Sequence, residues 1–365
     1  MVGVAGSRLS TRASDSVQTL NPGYFAIVMA TGIISVGMTS VGMPAISAVL
    51  LSVAVVAYVT LVVLFIWRIA RFRSDIRADF ASPARAFSFF TFVAASGVLG
   101  TRLLLGSQTP LAVLMLAIAA VAWLVLGYVI PWSIVVAPRP RPRAVLAEAN
   151  GTWFIWAVGS QSVAVLAATL EPVASIAQRE LALVAVFSWS VGAVLYAYAG
   201  VCVGIRLLIH PVRPTDIGPQ YWVAMGATAI TVLAGARIVE MADAPMTHAA
   251  RGLVGGLSIV FWCFGTWLVP ALLGAGWWRH IRHGIPLRYE ASLWSMIFPL
   301  GMYGVASINL GEADALPIIE FIGRCEIWLA LAAWALVIYG LLVNFVRSVV
   351  LAPEEHRETS SRSGG

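Results

Sequence analysis

Ten apolar segments, each about as long as a membrane-spanning helix, constrain the fold of this chain more than any other feature of its sequence. A helix needs about 20 apolar residues to cross the hydrocarbon core of a bilayer. Of the 365 residues, 60% are hydrophobic and only 11% are charged. We predict spans at Pro22–Gly42, Ile46–Trp67, Ala84–Leu105, Leu111–Ile130, Gly151–Leu170, Leu181–Leu208, Tyr221–Val239, Leu253–Ala275, Leu293–Leu310 and Ile318–Phe345. The sequence therefore predicts an all-α membrane domain, residues 22–348, between an N-terminal tail 1–21 and a C-terminal tail 349–365.

The arginines indicate how the spans are oriented. All 23 basic residues are arginine, and eighteen of them fall in the tails or in the connections on one side of the predicted bundle. Cytoplasmic connections of membrane proteins carry an excess of basic residues. We therefore expect both termini in the cytoplasm, which requires an even number of spans. Because topology accounts for the net charge of +6, we expect no nucleic-acid partner.

The odd-numbered spans share a pattern that the even-numbered spans lack. An aromatic residue near the expected cytoplasmic start is followed by apolar residues and then by a small residue. In three spans the aromatic residue precedes a glycine by seven positions: Phe25 and Gly32, Phe90 and Gly97, Trp294 and Gly301. The repeat predicts five helical hairpins, with one helix of each hairpin around a central pore. In span nine, Pro299 and Gly301 predict a helix kink.

Neutral polar residues within the odd-numbered spans are the candidate anion-binding groups. Except for Glu320 and Glu326 in span ten, the spans contain no Asp, Glu, Lys or His, which disfavours cation selectivity by an acidic ring. The predicted pore-lining residues are Phe25, Thr31, Gly32, Ser35, Ser96, Gly97, Ser160, Gln161, Thr228 and Thr231. Arg102 and Arg237 are expected at the outer mouth. The alternative for small and hydroxyl residues is helix packing and bonding to their own helix. For the two arginines it is snorkelling or ion pairing, for example of Arg237 with Glu240 or Asp243.

Three segments, YFAIVMATGIISVG in span one, PQYWVAMGATAITVLAG at span seven and LWSMIFPLGMY in span nine, resemble the tellurite-resistance/dicarboxylate transporter family. That family includes bacterial tellurite-resistance permeases, yeast malate and sulfite permeases and plant slow anion channels. The resemblance implies five hairpins around a pore, a homotrimer, and a bacterial-type inner (plasma) membrane as the location. It also implies that Phe298 occludes the pore, whereas a core role is the alternative for this residue.

The expected function is transport of small anions, with membrane lipids and the anionic substrate as partners. We expect C4-dicarboxylates such as malate, because span one is most similar to the malate-type members. The alternatives are an inorganic anion channel for chloride, nitrate or sulfite, and a tellurite-resistance permease. A membrane-embedded enzyme is the alternative of a different class, but the five histidines lie outside the spans and at no metal-ligand spacing. We therefore expect no catalytic residue, no cofactor and no metal.

Overall fold

The computed structural model describes residues 14–137, 143–174, 176–242 and 245–347. These residues form helices joined by turns and loops, with no strand among them. Ten of the helices are long and apolar enough to cross a membrane, as predicted. The ten helices are α1 Pro22–Ser40, α2 Pro44–Arg71, α3 Ala86–Leu105, α4 Thr109–Val136, α5 Gly151–Val173, α6 Gln178–Ile209, α7 Pro219–Glu240, α8 His248–Arg282, α9 Ala291–Ala313 and α10 Pro317–Val346. The predicted tail 349–365 and residues 1–13 of the other tail lie outside the described residues.

The helices divide into an inner and an outer set that alternate along the chain. In the odd-numbered helices, 67% to 89% of the most apolar stretch is buried, against 11% to 39% in the even-numbered helices. Each inner helix packs against the next inner helix, and α9 packs against α1. Each outer helix packs against the inner helix that precedes it in the chain. The inner helices thus form a closed ring, while the outer helices expose the apolar side chains that a bilayer requires.

Three of the connections from an inner helix to its outer helix use the same turn. Gly42, Ser107 and Ala315 follow α1, α3 and α9 and have positive φ angles of 77°, 62° and 54°. The next residue then donates its backbone N–H to a carbonyl five positions earlier: Met43 to Met38, Gln108 to Leu103 and Leu316 to Gly311. This is the Schellman arrangement, which ends a helix and satisfies its last carbonyls. A proline in the first turn then starts α2, α4 and α10.

Glycines let the inner helices approach each other closely. A Cβ atom on Gly97 of α3 would lie 2.7 Å from the Cβ of Ser162 of α5, and one on Gly226 of α7 would lie 2.8 Å from the Cγ of Pro299 of α9. Gly32 and Gly301 of the predicted repeat likewise meet side chains of neighbouring inner helices, Val98 and Ile33. The small residues therefore let neighbouring helices pack together, and none of these four glycines leaves open space beside it.

The inner helices begin at one face of the bundle, which we call the arginine-rich face. After α2, a connecting helix, Arg73–Ala81, runs along this face and contacts α4. Asp79 of the connecting helix forms ion pairs with Arg68 of α2 at 2.8 Å and with Arg85 before α3 at 3.2 Å. These ion pairs hold the connecting helix against the ends of two spanning helices.

Candidate functional site

A polar cavity of about 230 Å³ lies where the five inner helices begin. We call it the vestibule. All five inner helices, or the residues just before them, contribute to its wall: Asn21, Gly23, Ala84, Ser88, Asn150, Thr152, Ile155, Gln220, Ala291, Ser292 and Ser295. None of these residues is charged, and seven carry a hydroxyl or amide side chain. In α1 and α3 the aromatic residue of the repeat, Phe25 or Phe90, follows two positions after the last wall residue, whereas Trp294 of α9 lies between the wall residues Ser292 and Ser295.

The vestibule offers hydrogen-bond donors, and the N-termini of five helices converge on it. Each inner helix starts with a 3₁₀ turn, and the N-terminus of a helix carries partial positive charge. Asn21 and Asn150 cap α1 and α5 through their Oδ1 atoms, whereas the residues that precede α3, α7 and α9 make no side-chain cap. Ser88 is only 5% exposed, and its hydroxyl has no hydrogen-bond partner in the part of the chain that the structure describes. The arrangement is suited to a partly dehydrated anion.

Beyond the vestibule, the axis of the ring is almost filled. A central cavity of about 10 Å³ is lined by residues of all five inner helices: Ile33, Val36, Gly97, Val98, Thr101, Ser162, Val165, Ile230, Leu233 and Met302. One water molecule needs about 10–15 Å³. The two hydroxyls in this lining, those of Thr101 and Ser162, donate to carbonyls of their own helices. The centre is therefore narrow and apolar, and a hydrated ion does not fit through it in this conformation.

Phe298 lies on the stretch of α9 between the two cavities. Ser295 lines the vestibule and Met302 lines the central cavity. Phe298 follows Ser295 by three positions and precedes Met302 by four, so the three residues share one helix face. Its side chain is 1% exposed. Pro299 has no N–H for the carbonyl of Ser295, which weakens the helix beside this ring.

Most of the predicted pore-lining hydroxyls and amides are directed to the outer helices. Of the ten predicted residues, Gly97 is the one that lines the central cavity. Five others bond to an outer helix: Thr31 to the indole of Trp334 (2.9 Å), Ser35 to the carbonyl of Ser47 (2.7 Å), Ser96 to the hydroxyl of Tyr58 (2.8 Å), Ser160 to the carbonyl of Ser188 (2.9 Å) and Gln161 to the carbonyl of Trp189 (3.1 Å). Such bonds between membrane helices contribute about 0.6 kcal/mol each. These side chains therefore attach the inner ring to the outer helices.

The other predicted lining residues also make packing contacts. Thr228 and Thr231 donate to carbonyls of their own helix, those of Met225 and Ala227. The ring of Phe25 packs against three aromatic rings, of Tyr58, Phe65 and Phe92, with centroids 5.2 to 6.0 Å away. The sequence pattern did not indicate four of their partners on the outer helices: Ser47, Tyr58, Trp189 and Trp334. Each of these residues carries a polar group within an otherwise apolar outer span, but exposed positions such as Ser52 share that signal, so it does not by itself mark the side that faces the inner ring.

The two arginines predicted at the outer mouth differ in their surroundings. Arg102, near the end of α3, is 8% exposed, and its Nε donates to the hydroxyls of Ser35 and Ser47 at 2.9 Å each. It has no ion-pair partner among the described residues. Arg237 is one-third exposed and pairs with Glu240 at 2.9 Å, whereas Asp243 lies outside the described residues. Arg102 thus leaves an uncompensated positive charge one residue from Thr101, which lines the central cavity.

Comparison with known sequences connects this arrangement to one family. A sequence model of the voltage-dependent anion channel family matches residues 19–342. A membrane protein of Mycobacterium tuberculosis, described as uncharacterized, is 57% identical over 155 residues, which are 42% of this chain and 79% of that protein. An uncharacterized transporter of Methanocaldococcus jannaschii is 24% identical over 333 residues, covering 88% of this chain and 92% of the relative. A second transporter of that archaeon is 22% identical over 327 residues.

Proposed function

Because this chain belongs to the voltage-dependent anion channel family, we propose that each protomer conducts small anions from the vestibule, along the axis of the inner helices, to the opposite face. The family match confirms the resemblance seen in the sequence and identifies a multi-pass membrane protein of an anion transporter and channel family. The observation that carries the proposed path is the vestibule, where five helix starts converge on a polar cavity. Its lining includes no acidic side chain, and a carboxylate next to it, that of Glu290, accepts a hydrogen bond from Ser292 at 3.1 Å. Arg102 supports the path at its other end, because its charge has no acidic partner in the described chain.

Phe298 is the proposed gate. It lies between the vestibule and the central cavity, and a bulky apolar side chain in a narrow passage excludes water and ions. Pro299 follows it directly, and Gly301 follows three positions after it. Pro299 removes one helix hydrogen bond, so the ring can move at a smaller cost than in an uninterrupted helix. The central cavity of about 10 Å³ is in keeping with a closed conformation.

The vestibule favours a weakly bound, small anion as the substrate. No arginine or lysine lines it, so a dicarboxylate finds no guanidinium group for a bidentate bond. Neutral donors hold an anion loosely enough to release it, as conduction requires. Chloride or nitrate is therefore the first candidate. A C4-dicarboxylate such as malate is the second candidate, because span one is most similar to malate-type permeases.

We place the arginine-rich face in the cytoplasm, because cytoplasmic connections are enriched in basic residues. This orientation puts the vestibule on the cytoplasmic side of a bacterial-type inner membrane. A homotrimer, with one path in each protomer, is the proposed assembly on the basis of the family resemblance. A reporter fused after Gly365 tests the orientation, and a periplasmic signal from it would contradict the proposal.

The test is anion flux into proteoliposomes that contain the wild type or Phe298→Ala. We expect the variant to carry chloride or nitrate faster than the wild type, because removing the ring opens the passage. Phe264→Ala is the control, since Phe264 lies on the outer helix α8 and is 42% exposed. Equal flux in Phe298→Ala and wild type, at equal protein incorporation, removes Phe298 from the gate. Radiolabelled malate uptake in the same vesicles separates the two substrate classes.

A further inference from the structure

A deep apolar groove opens on the outside of the bundle, away from the vestibule and the central cavity. It has a volume of about 800 Å³ and lies between the outer helices α2 and α4, with its floor formed by α1 and α3. Phe65 of α2 and Val121 of α4 are on its sides, and Phe25 and Phe92 are on its floor. Every residue in its lining is apolar.

The groove is shorter than the two outer helices that form its sides: its lining lies near the arginine-rich end of α2 and at the middle of α4. On α2 its lining runs from Val62 to Ile69, and on α4 from Ala117 to Leu126. At 1.5 Å per residue, these stretches are about 10–14 Å long. One leaflet of the hydrocarbon core is about 15 Å deep, half of about 30 Å. The groove therefore fits an acyl chain of one leaflet, whereas a spanning helix of a second copy would need a groove of the full depth.

The connecting helix closes the end of the groove at the arginine-rich face. Its Ile76 and Phe80 belong to the groove lining, and the ring of Phe80 stacks on that of Phe89 at 4.3 Å. Next to these apolar residues stand Arg71, Arg73 and Arg77, whose side chains are exposed. The groove thus combines an apolar interior with a basic rim, which complements the apolar chains and the charged headgroup of an anionic phospholipid.

Within the described part of the chain, the three rim arginines outnumber the acids that are free to pair with them. Asp79 is paired with Arg68 and Arg85, and Asp75 accepts a hydrogen bond from Gln18 at 3.1 Å. Among the described residues, Arg71, Arg73 and Arg77 take part in no ion pair. A cluster of arginines at the end of a membrane helix attracts anionic headgroups. The charge at the rim therefore complements a phosphate.

We propose that this groove binds an anionic phospholipid, with an acyl chain between α2 and α4 and its headgroup phosphate at Arg71, Arg73 and Arg77. The floor of the groove belongs to the starts of α1 and α3, whose other sides carry Gly23 and Ser88 of the vestibule wall. A bound lipid therefore packs against two helix starts that also shape the vestibule. The binding itself does not depend on which anion the protein transports.

The proposal is tested by native mass spectrometry of the full chain in detergent. Phosphatidylglycerol or phosphatidylcholine is titrated, and the affinity of each lipid is measured. Each arginine near a headgroup contributes about 1 kcal/mol, or about fivefold in affinity. We expect the wild type to prefer phosphatidylglycerol at least about fivefold, and the triple variant Arg71→Gln, Arg73→Gln, Arg77→Gln to lose that preference. The matched control replaces three other exposed arginines: Arg282→Gln, Arg288→Gln and Arg347→Gln.

A second pair of variants tests the groove itself. Val121→Trp places a large ring in the groove, whereas Val113→Trp changes an equally accessible position of α4 outside it; the two valines are 62% and 52% exposed. We expect Val121→Trp to abolish the tightly bound lipid and Val113→Trp to retain it. The proposal is overturned if the wild type binds both lipids with equal affinity. It is also overturned if the triple variant at the rim and the control triple variant lose the preference for phosphatidylglycerol equally. Disulfide crosslinking between copies through Val121→Cys would assign the groove to a second copy and also overturn it.

Discussion

Replacement of Gly97 by alanine tests the close packing of the inner ring. The new Cβ would lie 2.7 Å from the Cβ of Ser162 and 2.9 Å from its carbonyl oxygen. Carbon atoms in contact normally lie about 3.5–4.0 Å apart, so α3 and α5 must separate by up to about 1 Å. The carbonyl belongs to the backbone and cannot rotate away as a side chain does. Overpacking of this kind costs about 1–3 kcal/mol, and we expect the free energy of unfolding to fall by that amount.

The assay is unfolding of the purified protein by SDS in mixed micelles. Gly127→Ala is the matched control, because a Cβ on Gly127 of α4 meets no atom within 4 Å. This control should be neutral or stabilising by up to about 1 kcal/mol, since alanine favours a helix more than glycine does. Adding Ser162→Gly to Gly97→Ala should recover part of the loss, because only the clash with the carbonyl remains. If Gly97→Ala is as stable as Gly127→Ala, the inner helices are not packed as described.

Two further substitutions test local features of the fold. Ala315→Gly should raise the free energy of unfolding by about 1 kcal/mol, because Ala315 has a φ of 54° that costs a residue with a Cβ about 1–2 kcal/mol. SDS titration measures the gain, and an unchanged or lower stability contradicts the turn geometry. In the loop between α6 and α7, the backbone N–H of Arg213 and then the guanidinium of Arg206 hold the pKa of Asp216 below its ordinary value. A lowered pKa stabilises the fold at pH values above the pKa of the unfolded chain, about 3.9, and this stabilisation disappears as the pH falls through the pKa of the folded protein. Asp216→Asn should therefore cost less than about 1 kcal/mol at pH 7. That difference from wild type should shrink below about pH 4, and a difference that grows on acidification contradicts the assignment.

The sequence was sufficient to predict the number of spans and the distinction between odd- and even-numbered helices. Long apolar stretches determine where helices cross the membrane, and Gly42 and Pro44 determine one turn between them. The outer helices are longer than predicted: α8 covers His248–Arg282, against the predicted Leu253–Ala275. Arginines and histidines at helix ends lower the apolar signal without ending the helix. Ser107 and Ala315 adopt the left-handed conformation usually taken by glycine, which their residue types do not indicate.

The sequence does not predict in which direction the hydroxyl side chains of the inner helices point. An inner helix is surrounded by other helices and is apolar on all sides, so its hydrophobic periodicity does not indicate how it is rotated about its axis. Thr31 therefore has the same sequence signal whether it points to the ring axis or to Trp334 of α10, where the structure places it. Ser88 shows the converse case. It lies inside predicted span three, just before the aromatic residue of the repeat, and was not among the predicted lining residues, yet it lines the vestibule because five helix starts converge there.

The most direct test of the anion path is chemical modification of the vestibule. In a background with Cys202, Cys263 and Cys325 replaced by alanine, Ser88→Cys is treated with a negatively charged methanethiosulfonate reagent, and anion flux is measured in proteoliposomes. Ser74→Cys, on the exposed surface of the connecting helix, is the control for modification at the same face. We expect modification of Ser88→Cys to block flux and modification of Ser74→Cys to leave it unchanged. Full flux through a protein whose Cys at position 88 is shown by mass spectrometry to be modified would contradict a path through the vestibule.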